Sequence, residues 1–119
     1  MPAANYDLII EQGARFLRNI YWRDSSDNPI DLTNYTASLK VRKRYDSAVL
    51  LSLSTGGGGI TITGPSGLIT IDISEGTTSG LSFYTALYDL ELYPPAPNAG
   101  NVIRLMQGKV TLEREVTKP

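Results

Sequence analysis

The sequence has no cysteine and no histidine. Without cysteine there is no disulfide and no thiolate metal site. Without histidine the commonest general base and the commonest transition-metal ligand are both missing. Side-chain metal ligands then reduce to carboxylates, which favour hard ions such as calcium or magnesium. Long apolar runs are absent too, and Ala48–Leu51 is typical of the longest. That falls far short of the ~20 residues a helix needs to cross a bilayer. Neither sign of charge dominates: 11 basic and 12 acidic side chains give a net charge of −1. Such a balance supplies no global pull toward nucleic acid or an anionic membrane. The start, MPAANYDL, lacks the basic-then-apolar pattern of a secretory signal. Synthesis in a cytoplasm, without export by the usual route, is therefore expected.

What is present is alternation. In Tyr84–Tyr93, YTALYDLELY, residues Tyr84, Ala86, Tyr88, Leu90 and Leu92 share one face. Thr85, Asp89 and Glu91 share the other, with Leu87 as the exception. A period of 2 marks a strand with one face on a core and one in water. The same reading runs along the chain. Residues 1–4 are small and predict a loose arm. Tyr6–Gln12 places Tyr6, Leu8 and Ile10 together. Arg15–Asp24 places Phe16, Ile20 and Trp22 together; a helical stripe also fits, but aromatic and β-branched content favours strand. Trp22 is expected in the core, the alternative being an exposed aromatic for a sugar or partner.

Asp24–Pro29, DSSDNP, is turn sequence. Ile30–Tyr35 is short and mixed, with room for one helical turn. Thr36–Tyr45 alternates, with Ala37, Leu39, Val41 and Tyr45 inward and Ser38, Lys40, Arg42 and Arg44 outward. Val49, Leu51 and Leu53 mark the inner face of Ala48–Ser54. Ile60 and Ile62, then Ile69, Ile71 and Ile73, mark two more strands separated by a Gly-Pro-Ser-Gly turn. Ser74–Leu81 predicts a crossing between sheets, with room for one turn of helix. Pro94–Gly100 is an exposed tip, and Asn101–Val116 a last strand. In that strand Ile103 and Leu105 share one parity while Val110, Leu112 and Val116 share the other. The switch requires an extra residue, and Gly108 points to a β-bulge at Gln107–Gly108.

The motifs that suggest chemistry all have plainer readings. Gly56–Gly59 is followed by strand sequence, not by the Lys-Ser/Thr and helix of a phosphate loop, so it reads as a hairpin tip. Asp24, Asp27 and Asp31 cluster around a turn but lack the glycine and closing glutamate of a calcium loop. Asp72, Asp89 and Glu91 lie on outer faces, where only coincidence of fold would pair them. Lys40, Arg42, Lys43 and Arg44, with Arg15, Arg18 and Arg23, form either a solvated basic face or a surface for an acidic partner. Asn34-Tyr35-Thr36 matches a glycosylation sequon, which carries little weight without a signal peptide. No catalytic residue, no cofactor site and no metal site is expected, and the chain is not expected to be an enzyme. Short strands with Gly/Pro turns every ~8–12 residues predict one domain, 1–119, of all-β class. The architecture expected is an immunoglobulin-like two-sheet antiparallel β-sandwich of about seven to nine strands.

Several stretches, in order, resemble a family of tailed-phage structural proteins, the β-sandwich domains of the long tail fibre connector, or collar. They are YDLIIEQGARF at Tyr6–Phe16, DNPIDLTNYTASLKVR at Asp27–Arg42, LLSLSTGGGGITI at Leu50–Ile62, GLITIDIS at Gly67–Ser74, YDLEL at Tyr88–Leu92 and VIRLMQGKVTLEREVT at Val102–Thr117. The Pro-rich tip Pro94–Gly100 is longer than that pattern carries. The resemblance implies a virion component made in a bacterial cytoplasm, placed at the tail, neck or baseplate, joining fibres or spikes in several copies. It implies partners among other virion tail and neck proteins; the balanced charge and short apolar runs already lead us to expect none among nucleic acids or membranes. The alternatives are a carbohydrate-binding host-recognition module and an immunoglobulin-like capsid decoration protein. The expected interface comprises Lys40, Arg42, Arg44, Asp89 and Glu91, with basic and acidic faces meeting between identical copies. The terminal strands are the expected free edges.

Overall fold

A computed structural model describes residues 4–98 and 100–116. Among the described residues nine strands form two sheets, together with one short α-helix and one 3-10 turn, Gly64–Ser66. They are β1 (Ala4–Asn5), β2 (Leu8–Glu11), β3 (Phe16–Tyr21), β4 (Thr36–Arg42), β5 (Val49–Ser54), β6 (Ile60–Thr63), β7 (Leu68–Ile73), β8 (Thr85–Tyr93) and β9 (Ile103–Glu113). One sheet runs β1-β9-β8-β4-β5, with β2 continuing beside β9; the other runs β3-β7-β6. This is the immunoglobulin-like sandwich, with six strands in the larger sheet and three in the smaller. The expected fold class is what the chain adopts. Of the loose arm expected at 1–4, residues 1–3 lie outside the described residues, and Ala4 already pairs with Met106.

The period-2 residues make the core. Leu39, Val41, Ile69, Ile71, Ala86, Leu90, Leu92, Val110 and Leu112 are all buried, as are Leu8 and Ile10. Arg15–Asp24 is strand over Phe16–Tyr21, not helix, and Trp22 is half-buried against the core. No helical turn forms at 30–35; instead Leu32 is wholly buried there and Tyr35 N–H closes a turn on its carbonyl at 3.0 Å. The crossing at 74–81 does contain a helical turn, α1 (Glu75–Ser79), capped by the Ser74 hydroxyl. Thr78 is buried on it, accepting from Gly13 N–H at 3.0 Å and donating to the Ala14 carbonyl at 2.9 Å. Those bonds fix the helix to the β2–β3 turn. The Gly56–Gly59 stretch is a turn leading into β6, with no helix behind it.

Five expectations fail, four of them for two reasons. The first reason is a pair of bulges. Val41 pairs with Leu51 but Arg42 pairs with Val49, so Leu50 is an extra residue. Val49 therefore faces outward beside Arg42 and is exposed, not inward. In β9, Leu90 pairs with Met106 but Glu91 pairs with Arg104, so the extra residue is Leu105. The parity switch is real but lies earlier than Gln107–Gly108. The second reason is strand termination. Tyr45 lies beyond the end of β4 and is 89% exposed, and Tyr84 precedes β8 and is 73% exposed. The alternation rule has no hold on either. The final strand is also not an edge. β9 lies between β8 and the β1–β2 strand, which runs parallel to it.

Gly108 has a different task from the one expected. A Cβ there would stand 2.5 Å from the Tyr6 carbonyl oxygen and 2.8 Å from Asp7 Oδ1. Only glycine lets the break between β1 and β2 pass this close to β9. Asp7 Oδ1 accepts from Lys109 N–H at 2.9 Å, and Tyr6 N–H donates to the Gln107 carbonyl at 2.9 Å.

Candidate functional site

The outer faces of β4, β8 and β9 share one open groove of about 630 Å³. The antiparallel register builds it: Lys40 stands opposite Asp89, Ser38 opposite Glu91, and Arg42 opposite Leu87. On the other side of β8, Leu87 stands opposite Lys109 and Glu91 opposite Arg104. Side chains paired across a ladder project from the same face, so alternation alone delivers all of them to one surface. All five expected interface residues, Lys40, Arg42, Arg44, Asp89 and Glu91, line this groove. Sequence reasoning missed its other members, chiefly Arg104, Lys109 and Asp7, because they come from strands whose neighbours only the topology reveals. Leu87, the exception on the outer face of β8, is half-buried in the groove floor between Arg42 and Lys109. Tyr45 stands at the rim.

The expected separation of charge is corrected by this register. Basic and acidic residues do not occupy two faces that meet only between copies. Lys40 and Asp89 are cross-strand neighbours in one molecule. Their mixture is unequal, however. Lys40, Arg42, Arg44, Arg104 and Lys109 face only Asp7, Asp89 and Glu91. Five of the 11 basic and three of the 12 acidic side chains lie here, leaving six and nine for the rest of the chain. The groove is thus a cationic surface on a slightly acidic protein.

Its internal pairing is loose. Arg104 Nε lies 3.4 Å from Asp89 Oδ2, with both side chains substantially exposed. Arg42 donates to the Ser47 carbonyl at 2.6 Å. Among the described residues, Lys40, Arg44 and Lys109 have no carboxylate within 4.0 Å. Burial pushes the Asp89 carboxyl above its ordinary range, Glu91 adds to this, and Arg104, Arg42 and Lys40 oppose it. Burial likewise raises the Tyr93 phenol, helped by its 3.0 Å bond to Glu91 Oε1.

The remaining candidates lie elsewhere. Arg15 makes a two-pronged pair with Asp72, at 2.9 and 2.8 Å, on the β3–β7 sheet. The Arg15 guanidinium holds the Asp72 carboxyl below its ordinary range. Asp72 is therefore on the opposite sheet from Asp89 and Glu91, and no carboxylate pair forms between them. Arg18 is half-buried on β3, 5.1 Å from the Phe16 ring centroid, and donates to the Tyr6 hydroxyl at 3.0 Å. Asp24 caps its own loop, accepting from Ser26 and Asn28 N–H at 2.9 and 3.0 Å. Asp31 accepts from Thr33 N–H at 3.0 Å and its hydroxyl at 2.5 Å, which lowers the Asp31 carboxyl below its ordinary range. Among the described residues, no three carboxylates gather in a way that could hold a metal ion.

No family model and no curated protein matches the chain. One similar solved structure comes from photo-crosslinking work on multimeric cell-adhesive interactions of VGSC beta subunits. It is 11% identical, the likeness covers 95% of this chain and 93% of that one, and the TM-score is 0.46.

Proposed function

We propose that this protein is a non-enzymatic structural component of a tailed-phage virion. It serves as an adaptor at the tail, neck-collar or baseplate, joining fibres or spikes to the tail through protein–protein contacts. The observation that carries the interaction reading is the groove. Five cations from two strands and a following turn gather on one open sheet face, and among the described residues only Arg104 of the five has a carboxylate within 4.0 Å. Such a surface steers and orients a charged partner. The placement on a virion rests on the resemblance of stretches spread along the chain.

A second reading has one observation behind it. Tyr45, almost wholly exposed at the groove rim beside amides and carboxylates, is the kind of aromatic that stacks on a sugar ring. The two readings separate by experiment. Gold-labelled antibody against the protein is expected to decorate the tail or collar of virions in electron micrographs. Decoration over the whole capsid would favour a decoration protein, and absence from purified virions would overturn the structural reading. Retention on immobilised host-surface glycan, lost on Tyr45→Ala, would favour host recognition.

A further inference from the structure

The sandwich presents a second charged feature, convex where the groove is concave. Residues 24–29 leave the end where β3 stops and β4 begins. This loop is internally fixed. Asp24 N–H donates to the Asn28 carbonyl at 2.9 Å, Asp27 N–H to the Asp24 carbonyl at 3.0 Å, and Arg23 bridges Pro29. The Asp24 carboxylate caps two further N–H groups within it. All its residues are exposed, and the Asp27 side chain is 88% exposed. Asp24, Asp27 and nearby Asp31 outnumber Arg23, whose Nε approaches Asp27 only to 3.9 Å. The result is a preformed acidic knob.

The knob precedes β4, separated from Thr36 by residues 30–35, whereas the groove lies along the outer face of β4 and β8, from Glu91 opposite Ser38 to Arg44 and Tyr45 beyond Arg42. Thr36 and Arg42, at the ends of β4, stand about 20 Å apart at the usual rise, within a molecule 46 Å long. We infer that the cationic groove receives the acidic 24–29 loop of a second copy, joining identical chains head to tail. The inference rests on the interaction reading of the groove and names its partner. Two charge signs carried on different surfaces of one chain make a heterologous contact, which leaves each added copy with a free knob and a free groove. Such contacts close into rings or extend as stacks. A rigid loop binds without the ordering cost that a flexible one would carry. Asp89 and Glu91 cannot supply the second surface, since they sit inside the groove itself.

The test uses the full chain in sedimentation velocity over a range of concentrations. Average mass is expected to rise with concentration, and to fall when salt goes from about 50 to about 500 mM. Two variants separate the surfaces. Arg44→Glu with Lys109→Glu changes two groove cations that have no carboxylate within 4.0 Å among the described residues. Ser25→Lys with Ser26→Lys adds positive charge to the knob while sparing the Asp24 caps. Each double variant alone should associate at least about tenfold more weakly than the parent. An equimolar mixture should regain association, because each variant then supplies the surface that the other lost. Circular dichroism melts matching the parent show that both are folded. If the knob variant associates like the parent, the contact is groove to groove and the inference falls. It also falls if the mixture stays dissociated, or if the parent is monomeric throughout, which would leave the groove to another virion protein. Those failures leave the adaptor reading standing, whereas absence from virions would remove that reading without touching self-association.

Discussion

The Tyr88 hydroxyl donates to the backbone carbonyl of Tyr6, 82 positions earlier in the chain. Tyr88 is buried on the inner face of β8, and burial, with Asp7 nearby, pushes its phenol well above the ordinary value. Its proton therefore stays on, and it remains a donor across the accessible pH range. The bond ties the break between β1 and β2 to the centre of the larger sheet. Tyr88→Phe removes the donor and strands a carbonyl, at a cost of about 1–3 kcal/mol. Denaturant midpoints with an unchanged m-value check this.

Gly108 lies under the same break. Any side chain there meets the Tyr6 carbonyl at 2.5 Å, and backbone cannot swing aside as a flexible side chain would. Gly108→Ala is expected to destabilise by about 1–3 kcal/mol, the usual penalty for overpacking. Faster hydrogen exchange at Tyr6 and Lys109 should accompany it. Unchanged exchange there would show that the segment accommodates a methyl group without moving.

Trp22 is packed on the core but only half-buried, and its N–H donates to the Gly67 carbonyl at 2.8 Å. The backbone bond survives truncation, so the loss in Trp22→Ala is packing alone. About 3 kcal/mol is expected, the low end for a truncated aromatic. A midpoint that scarcely moves would give the ring to solvent and strengthen the sugar-binding reading.

Asp89 makes a prediction in pH. Its pKa is raised in the folded chain, so between the unfolded and folded values the folded state binds more protons. Stability therefore falls as pH rises through that window and stays lower above it. Asp89→Asn should have a higher denaturant midpoint than the parent at neutral pH. The gap should close below about pH 4, where an unperturbed aspartate protonates. A lower midpoint at neutral pH would show that the contact with Arg104 outweighs the burial.

The alternation in Thr36–Tyr45 and Tyr84–Tyr93 was sufficient to read β4, β8 and their outer residues. Lys40, Arg42, Asp89 and Glu91 were identifiable because period 2 sets their face whichever strands become neighbours. Arg104 and Lys109 were not, because Leu105 shifts the register of β9 between them. A bulge reveals itself only through the partner strand, and a single apolar parity change does not locate it to the residue. Tyr45 and Tyr84 misled for a related reason. Both continue an inward pattern in sequence, but the ladder ends before reaching them. The helical turn α1 was legible because local capping decides it, whereas Trp22 reaches the core with only part of its ring.

The parallel run of β2 beside β9 has a mechanical consequence. Leu8 sits level with Val110 and Glu11 level with Glu113. A molecule tethered through residues ahead of β2 and beyond β9, and pulled from both sides, would slide these strands past each other lengthwise. Every rung of the ladder then bears load together, along with the flanking bonds from Tyr6 to Gln107 and from Gln12 to Glu113. Peeling would instead break them one at a time. Resistance to such tension is set by the rate of unfolding rather than by equilibrium stability. Under load, then, the short N-terminal strand acts as a shear clamp.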